Sequence, residues 1–258
     1  MKKSTQTDLI VKSSEMLSDS AVLVSLQACG QVPPVRPGQF LQLLLPSCKG
    51  ADLRRPYSIH DFDSKTGTVS LLVQLVGKGS RAVAELKAGD VVNALMPLGN
   101  GFDLEKPFNN ALLVAGGVGM APMYMLGREL KAQGRNFTFL FGARGEKQLL
   151  RLDVFRQLAS TAVSTQDGSI GEMGLVTENS ILKTAGFDSI FCCGPTPMMK
   201  AVAQYASQNN LPCQVSLEHH MACGMGACLC CVEDTVEGHV CVCKEGPVFD
   251  IRKLKWQI

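Results

Sequence analysis

Seven of the eleven cysteines in this 258-residue chain fall between residues 213 and 243. Four of them follow the spacing C-x4-C-x2-C with a distant fourth cysteine, namely Cys223, Cys228, Cys231 and Cys243. This spacing is typical of the thiolates that hold a 2Fe–2S cluster. Gly224 and Gly226 lie in the first interval, and glycine can adopt the positive φ angles that let a tight loop aim N–H groups at sulfur. The pattern therefore predicts a one-electron centre near the C-terminus.

Three other uses of these cysteines are weaker alternatives. A disulfide scaffold fits poorly, because the cysteine count is odd and the chain is large. A structural zinc site usually pairs two short cysteine knuckles, which this triplet does not provide. Inert thiols are the third alternative. Cys230 lies between two predicted ligands, so its side chain should point away from them. Cys241 and Cys243 would share one face of an extended segment, so spacing alone does not choose between them.

Two loops could bind a dinucleotide. Residues 116–119, Gly-Gly-Val-Gly, lie between an apolar strand-like segment and a helix that opens at Pro122. A helix N-terminus offers free N–H groups and a positive dipole to a pyrophosphate. The Rossmann pattern has glycine where Pro122 stands, so a simple tight turn remains an alternative. Residues 193–195, Cys-Gly-Pro, also join a strand to a helix, and Cys193 could instead be a buried thiol that packs as a small hydrophobe.

A third group of residues lies near the middle of the first hundred. Arg55-Pro56-Tyr57-Ser58 combines a guanidinium for phosphate, a ring for stacking and a hydroxyl for hydrogen bonding. Residues 77–80, Gly-Lys-Gly-Ser, are either a hairpin turn or a phosphate-binding nest. From the residues alone, the favoured interpretation of the first motif is a strand that starts at a proline beside a surface arginine.

The elements that position these motifs change along the chain. Short strand-like segments separated by turn residues occupy 21–26, 40–45, 68–76 and 90–95 and predict a small antiparallel barrel. From about residue 105, strands at 111–115, 137–141 and 189–193 alternate with helices at 122–134, 153–159 and 197–209. This alternation predicts a doubly wound α/β domain with a parallel sheet. We therefore expect a barrel over residues 1–104, an α/β domain over 105–212 and a small cysteine-rich module over 213–258.

Composition limits the possible partners and location. The formal net charge is +2 and no run of Lys or Arg is long enough for a nucleic-acid patch. No apolar segment follows the basic start, and no stretch approaches the roughly 18 apolar residues of a membrane helix. These features predict a cytoplasmic protein.

Taken in order, the motifs resemble those of the ferredoxin–NADP reductase superfamily. Arg-x-Tyr-Ser matches its flavin barrel, and Gly-Gly-x-Gly-x-Ala-Pro (116–122) and Cys-Gly-Pro-x-Pro-Met (193–198) match its nicotinamide domain. The resemblance implies that FAD is held by Arg55, Pro56, Tyr57, Ser58, Gly79 and Ser80. It implies that NAD is held by Gly116, Gly117, Gly119, Cys193, Gly194 and Pro195, with Cys193 near the nicotinamide and flavin N5 performing the hydride chemistry.

Within that superfamily the chain is similar to the electron-transfer subunits of NAD-dependent dihydroorotate dehydrogenases. The similarity rests on motifs at 37–40, 98–102, 167–171, 218–224 and 243–249 and spans about residues 8 to 250. It implies that a separate FMN-containing catalytic subunit oxidises dihydroorotate in pyrimidine synthesis. It also implies that electrons pass through the 2Fe–2S cluster and FAD to NAD, in a heterotetramer of two copies of each subunit. The ending Cys-Lys-Glu-Gly-Pro selects Cys243 as the fourth ligand.

Two other functions remain open at this point. A relative could serve a ferredoxin, hydrogenase or glutamate-synthase-like partner, although such subunits tend to carry another residue at the position of Cys223. A zinc-stapled binding protein is the second. For the nucleotide, residues 152–182 contain Arg156 as the sole cation, which favours NAD over NADP. Gln166 stands where relatives tend to have Asp.

The C-terminal segment 249–258 carries the one tryptophan of the chain, Trp256, among basic and apolar residues. Aromatic and cationic residues are enriched in interfaces. Trp256 could therefore contact a partner, or it could pack onto its own domain.

Overall fold

The computed structural model describes residues 4–45, 53–184 and 186–257. The chain divides into two compact units. Unit 1 comprises residues 1–101, 219–233 and 240–247, and unit 2 comprises residues 102–218, 234–239 and 248–258. The cysteine-bearing segment therefore contributes to both units. The domain boundaries expected at residues 104 and 212 stay predictions.

Unit 1 contains a seven-stranded antiparallel half-barrel, which confirms the expected flavin-type domain. Its strands are β1 (Thr5–Ser18), β2 (Ala21–Ala28), β3 (Phe40–Leu44), β4 (Arg55–Ser58), β5 (Asp61–Asp63), β6 (Thr68–Gln74) and β7 (Val91–Leu98). Their order in the sheet is β4-β3-β7-β1-β2-β6-β5. Strand β1 was not predicted, because only Leu9 and Val11 of its fourteen residues are buried and polar side chains dominate the rest. Helix α1 (Lys78–Ala84) begins where a hairpin turn was one alternative.

Unit 2 contains the expected parallel α/β sheet. Its first strands are β8 (Asn110–Gly116), β9 (Asn136–Ala143), β10 (Thr161–Thr165), β11 (Glu172–Met173), β12 (Ser189–Cys193) and β13 (Cys213–Ser216). Its helices are α2 (Met120–Ala132), α3 (Leu152–Leu158), α4 (Ile181–Thr184) and α5 (Thr196–Gln208). The rest of the chain forms a hairpin of β14 (Val232–Thr235) and β15 (Gly238–Cys241), a single turn α6 (Val242–Glu245) and strand β16 (Val248–Asp250).

The strand order of unit 2, β11-β10-β9-β8-β12-β13-β16, fixes where a ligand can bind. All neighbours are parallel except β13 and β16. From β8 the chain moves outward to β9 and β10, and from the adjacent β12 it moves the opposite way to β13. Doubly wound sheets bind ligands at the carboxyl ends of two such diverging strands. Both predicted dinucleotide loops begin there.

Fully buried aromatic side chains form much of the core of unit 2. Phe155 of α3 packs edge-on against Phe139 and Phe141 of β9, with ring centroids 5.1 and 4.8 Å apart. Trp256 is half-buried, and Lys200 Nζ of the same unit lies 5.8 Å from its ring centre. Among the described residues, no helix is both long enough and apolar enough to cross a membrane.

Candidate cofactor-binding site

The four predicted cluster ligands lie together in unit 1. Cys223 and Cys228 are on an irregular loop, Cys231 precedes β14, and Cys243 lies in the turn α6. Cys231 and Cys243 are buried, Cys223 is half-buried and Cys228 is exposed. The side chain of Cys223 interacts with that of Cys228, and the side chain of Cys231 interacts with those of both Cys243 and Cys241. The spacing C-x4-C-x2-C with a distant fourth cysteine is still the observation that favours a two-iron cluster over a structural zinc site.

Backbone N–H groups point at the sulfur atoms of this loop. Met225 N donates to Cys223 Sγ at 3.3 Å, Gly226 N to Cys243 Sγ at 3.1 Å, and Cys243 N to Cys231 Sγ at 3.4 Å. Gly226 reaches this geometry with φ = +80°, where a Cβ atom would be strained. Hydrogen bonds of this kind stabilise thiolates and tune cluster potentials. The residues therefore fit a 2Fe–2S cluster. Among the described residues, no three His, Cys, Asp or Glu side chains form a site for a single ion.

The thiols of the loop differ in acidity. Burial acts to raise the pKa of Cys223, but N–H donors from Met225 and neighbouring residues outweigh it and lower this pKa to about 6. Burial raises the pKa of Cys243 to about 12, and the neighbouring Cys231 thiol adds to the shift. A bound metal would reverse the second effect, because a coordinating thiol loses its proton.

The two extra cysteines of the loop have different surroundings. Cys230 is exposed, in agreement with a side chain that points away from the ligands. Cys241 lies within electrostatic reach of Cys231, Cys223 and Cys228, and its pKa is raised first by burial and then by these neighbours. Cys241 Sγ donates to the carbonyl of Gly226 at 3.8 Å, whereas Cys243 Sγ accepts from the N–H of the same residue. The two sulfurs therefore face different backbone groups of Gly226, and Cys243 as the fourth ligand stays a prediction.

The turn that carries Cys243 is anchored to the end of strand β7. Asn100 Nδ2 donates to the carbonyl of Glu245 at 2.7 Å, and Asn100 N donates to the carbonyl of Gly246 at 2.5 Å. A Cβ atom at Gly99 would lie 2.6 Å from that Gly246 oxygen. The Leu-Gly-Asn-Gly-Phe motif therefore positions the turn that carries Cys243, a predicted cluster ligand. The role of this motif was not predictable from the sequence, because Asn100 and Lys244 are 144 positions apart in the chain.

The predicted flavin residues come from two segments of unit 1. Arg55, Pro56, Tyr57 and Ser58 form the edge strand β4 and are all half-buried. Gly79 and Ser80 lie in the first turn of α1, and a Cβ atom at Gly79 would lie 3.3 Å from Arg55 Cγ. The Arg55 side chain thus packs against Gly79, and a larger residue at position 79 would crowd that side chain. This edge fits the phosphate-gripping role expected of Arg55.

Hydrogen bonds fix the conformation of this edge. Arg55 Nη1 donates to the carbonyl of Leu53 at 2.6 Å. The hydroxyl of Ser80 accepts from Val76 N at 2.9 Å and from Gly77 N at 3.0 Å. Ser80 therefore holds the loop before α1 in shape.

The two glycine loops of unit 2 touch each other. A Cβ atom at Gly119 would lie 2.3 Å from the carbonyl oxygen of Cys193, and one at Gly194 would lie 2.9 Å from Gly116 N. Close approach between the loops explains these glycines. Gly117 is different, because it has φ = +56° and faces open space. Its position at the start of α2 leaves room for a phosphate beside the helix N-terminus.

Cys193 is a buried thiol that stays protonated. Burial is the largest cause that raises its pKa, and the charge of Glu218 adds to it, while a hydrogen bond with Ser216 opposes both. A neutral thiol does not act as a nucleophile. Pro195, the remaining residue predicted to bind NAD, is exposed at the start of α5.

A third loop at the same edge of the sheet follows β10. Its residues Asp167 and Ser169 were not predicted to bind a ligand. Asp167 Oδ1 accepts from the N–H and the hydroxyl of Ser169 at 2.9 and 2.6 Å, and these bonds lower the pKa of Asp167. The hydroxyl of Ser169 also accepts from Glu146 N at 2.8 Å. A fixed carboxylate therefore stands beyond the predicted pyrophosphate loop. Strand β10 was not predicted, so its loop could not be placed at this edge from the sequence.

Comparisons with known proteins agree with three separate cofactor-binding regions along the chain. The chain matches the family model of an oxidoreductase FAD-binding domain over residues 8–102, and that of an oxidoreductase NAD-binding domain over residues 113–204. Residues 218–255 match the iron-sulfur cluster binding domain of dihydroorotate dehydrogenase B. The three matched domains confirm the three expected cofactors.

Two curated relatives and one solved structure show how far the similarity extends. The electron transfer subunit of dihydroorotate dehydrogenase B (NAD(+)) from Clostridium acetobutylicum is 40% identical, over 83% of this chain and 84% of its own. The probable electron transfer subunit of the same enzyme from Methanocaldococcus jannaschii is 42% identical, over 86% and 81%. A structure of an NADH-dependent reduced ferredoxin-NADP oxidoreductase superposes with a TM-score of 0.87 at 28% identity, over 96% of this chain and 90% of that one.

Proposed function

The chain belongs to the family of electron-transfer subunits of dihydroorotate dehydrogenase B, and we propose from that membership that it carries electrons between a dihydroorotate-oxidising partner and NAD in pyrimidine biosynthesis. The observation that carries the proposal is the cysteine loop, in which three backbone N–H groups point at predicted ligand sulfurs. When bound, the cluster transfers single electrons, FAD stores two, and the nicotinamide accepts a hydride.

Each cofactor has its own set of residues in this proposal. Cys223, Cys228, Cys231 and Cys243 hold the cluster. Arg55 grips the FAD phosphates, and Pro56, Tyr57, Ser58, Gly79 and Ser80 shape the remainder of that site. Gly116, Gly117, Gly119, Cys193, Gly194 and Pro195 line the NAD site. The reacting atoms belong to the cofactors, so the protein supplies binding, orientation and exclusion of water.

NAD is the proposed nucleotide because of Asp167. Its carboxylate is fixed by Ser169 and its pKa is lowered, so it stays charged at neutral pH. A carboxylate beyond the pyrophosphate loop can accept hydrogen bonds from ribose hydroxyls and repels a 2′-phosphate. Gln166 is uncharged, and this carboxylate follows it directly in the sequence.

The function requires a catalytic partner subunit, and we propose that it contains FMN and forms a heterotetramer with two copies of each chain. Two large apolar side chains of the cysteine loop support docking there, since Met225 is 62% exposed and Leu229 is 63% exposed. We also propose a cytoplasmic location, because a reducing compartment keeps seven clustered thiols available for metal.

The test measures two activities of the purified chain reconstituted with FAD, iron and sulfide. The chain alone should oxidise NADH with ferricyanide as acceptor, faster than NADPH, and should not turn over dihydroorotate. Addition of an FMN-bearing dihydroorotate dehydrogenase subunit should create dihydroorotate-dependent NAD reduction. Dihydroorotate oxidation by the chain alone, or efficient electron transfer to a ferredoxin and none to the FMN subunit, would overturn the proposal.

A further inference from the structure

Gln42 is a buried amide whose polar atoms are unsatisfied. It lies in β3 with no exposed surface, and within residues 4–45, 53–184 and 186–257 neither Nε2 nor Oε1 has a hydrogen-bond partner. An unpaired buried amide is costly, so an orphan of this kind needs an explanation. Gln39, three residues earlier, shows the contrast. Its Oε1 accepts from Arg36 N at 2.8 Å and its Nε2 donates to the Gly99 carbonyl at 2.7 Å.

The amide of Gln42 lies directly beneath the cysteine loop. A Cβ atom at Gly224 would lie 2.8 Å from Gln42 Cγ and 3.2 Å from Gln42 Nε2. Gly224 is buried and follows Cys223, the first predicted ligand. Leu98 Cδ1, 3.1 Å from the same Cβ position, is an apolar neighbour that offers the amide no partner. The unsatisfied amide therefore lies against the residue that directly follows Cys223.

We infer that Gln42 Nε2 donates a hydrogen bond to a sulfur atom of the 2Fe–2S cluster and so raises its reduction potential. The inference rests on the proposed function, because it requires a cluster in this loop. An amide has two N–H donors, and cluster sulfurs, whether thiolate or sulfide, are acceptors. Reduction adds negative charge to these sulfurs, and a donor stabilises the reduced form more than the oxidised form.

Position on the sheet gives the residue a second consequence. Gln42 pairs with Pro56 of β4 in the antiparallel ladder, so it lies one strand from the predicted flavin edge. A cluster whose potential is set by Gln42 would therefore lie close to β4, the strand proposed to hold FAD, which is the next electron carrier. Gln42 is a positioning and tuning residue, and it contacts no substrate.

The test compares Gln42→Met with Leu98→Met in the reconstituted full chain. Methionine keeps nearly the volume of glutamine but removes the donor. Redox titration followed by EPR should show a more negative midpoint in Gln42→Met, by about tenfold in the reduction equilibrium, or about 59 mV for one electron. Leu98→Met alters packing beneath the same glycine without removing a donor, so its midpoint should match the wild type. Equal shifts in both variants, or no shift in Gln42→Met, would refute the inference.

A measurement on the wild type covers the case in which Gln42→Met does not fold. Chain labelled with 15N in glutamine side chains should show a nitrogen coupling to the reduced cluster in pulsed EPR. Its absence would mean that the amide binds a buried water and not the cluster. If the wild type gives no 2Fe–2S signal at all, the proposed function fails. A normal signal with neither effect removes only the role of Gln42.

Discussion

At the scale of single residues, Cys241 and Cys243 contact different backbone groups of Gly226. Cys243 Sγ accepts from Gly226 N, while Cys241 Sγ donates to Gly226 O, although the two residues are two positions apart. Spacing predicted the first three ligands, and the family ending selected the fourth. The roles of Asn100 and Gln42 were not predictable, because each depends on a contact between segments far apart in the sequence.

Serine substitutions test the cluster ligands. We expect Cys228→Ser and Cys243→Ser to lose the EPR signal of the reduced cluster and most of the bound iron, because each removes a thiolate. FAD should remain bound, since its proposed residues lie elsewhere in unit 1. Cys230→Ser and Cys241→Ser are the matched controls and should keep both iron and signal. Iron loss in Cys241→Ser with none in Cys243→Ser would reverse the assignment of the fourth ligand.

Arg55→Ala tests the flavin edge. Loss of a charge-assisted hydrogen bond to phosphate should weaken FAD binding by about 1.5–3 kcal/mol. Flavin content after gel filtration and titration of the apoprotein with FAD measure the effect. Arg81→Ala, an exposed arginine of α1, should leave flavin content unchanged. Equal retention by both variants would remove Arg55 from the site.

The two loops that are proposed to bind NAD, after strands β8 and β12 of unit 2, lie in direct contact. Gly119 has φ = −57°, which any residue can adopt, so its backbone conformation does not demand glycine. Glycine is needed because a Cβ atom at position 119 would lie 2.3 Å from the carbonyl oxygen of Cys193. The loop after β8 and the loop after β12 are therefore built to lie against each other.

Gly119→Ala should push the two loops apart. We expect weaker NADH binding and a lower rate of NADH–ferricyanide reduction, with FAD and cluster content retained because their residues lie in unit 1. Gly134→Ala is the control, since Gly134 has φ = +68° at the end of α2 and open space around it. It should cost about 1 kcal/mol of stability and leave nucleotide binding intact. Wild-type NADH affinity in Gly119→Ala would show that the loops can separate without loss.

The sequence predicted the elements with strong apolar patterns and missed those without them. Strand β12 was predicted with its observed limits, because its sequence is short and mostly apolar. All five of its residues are buried in the structure. Strand β1 was missed, because apolar and polar residues alternate only weakly along it. Strand β13, Cys213–Ser216, was hidden in a segment in which cysteine spacing dominated the pattern. Strand β13 pairs with β12 and β16, and such long-range pairing cannot be predicted from the local pattern of apolar residues.

At the scale of the whole molecule, the chain supplies sites for three cofactors and an exposed apolar loop beside one of them. Leu229 holds φ = +56°, a strained conformation for a leucine, and is nevertheless exposed. A partner that buries this side chain would account for both features.

Leu229→Asn tests docking at the cysteine loop. Asparagine tolerates the left-handed backbone conformation, so the loop should keep its shape and its cluster signal. Removal of the apolar side chain should weaken association with the FMN-bearing subunit by about 1–2 kcal/mol, measured by titration calorimetry. Met16→Asn, at an exposed position on β1, should bind the partner like the wild type. Unchanged affinity in Leu229→Asn would place the interface elsewhere.

The discontinuity of unit 1 also has a consequence in time, during synthesis on the ribosome. Residues 1–101 are made first, but the segments 219–233 and 240–247 that complete the unit follow only after the intervening sheet. From residue 101 to residue 247 the ribosome adds 146 residues, which takes roughly 7–30 s at typical elongation rates. The half-barrel must wait that long without the loop that covers Gln42. All four predicted ligands are therefore available to iron and sulfide only after the segment 240–247 has been made.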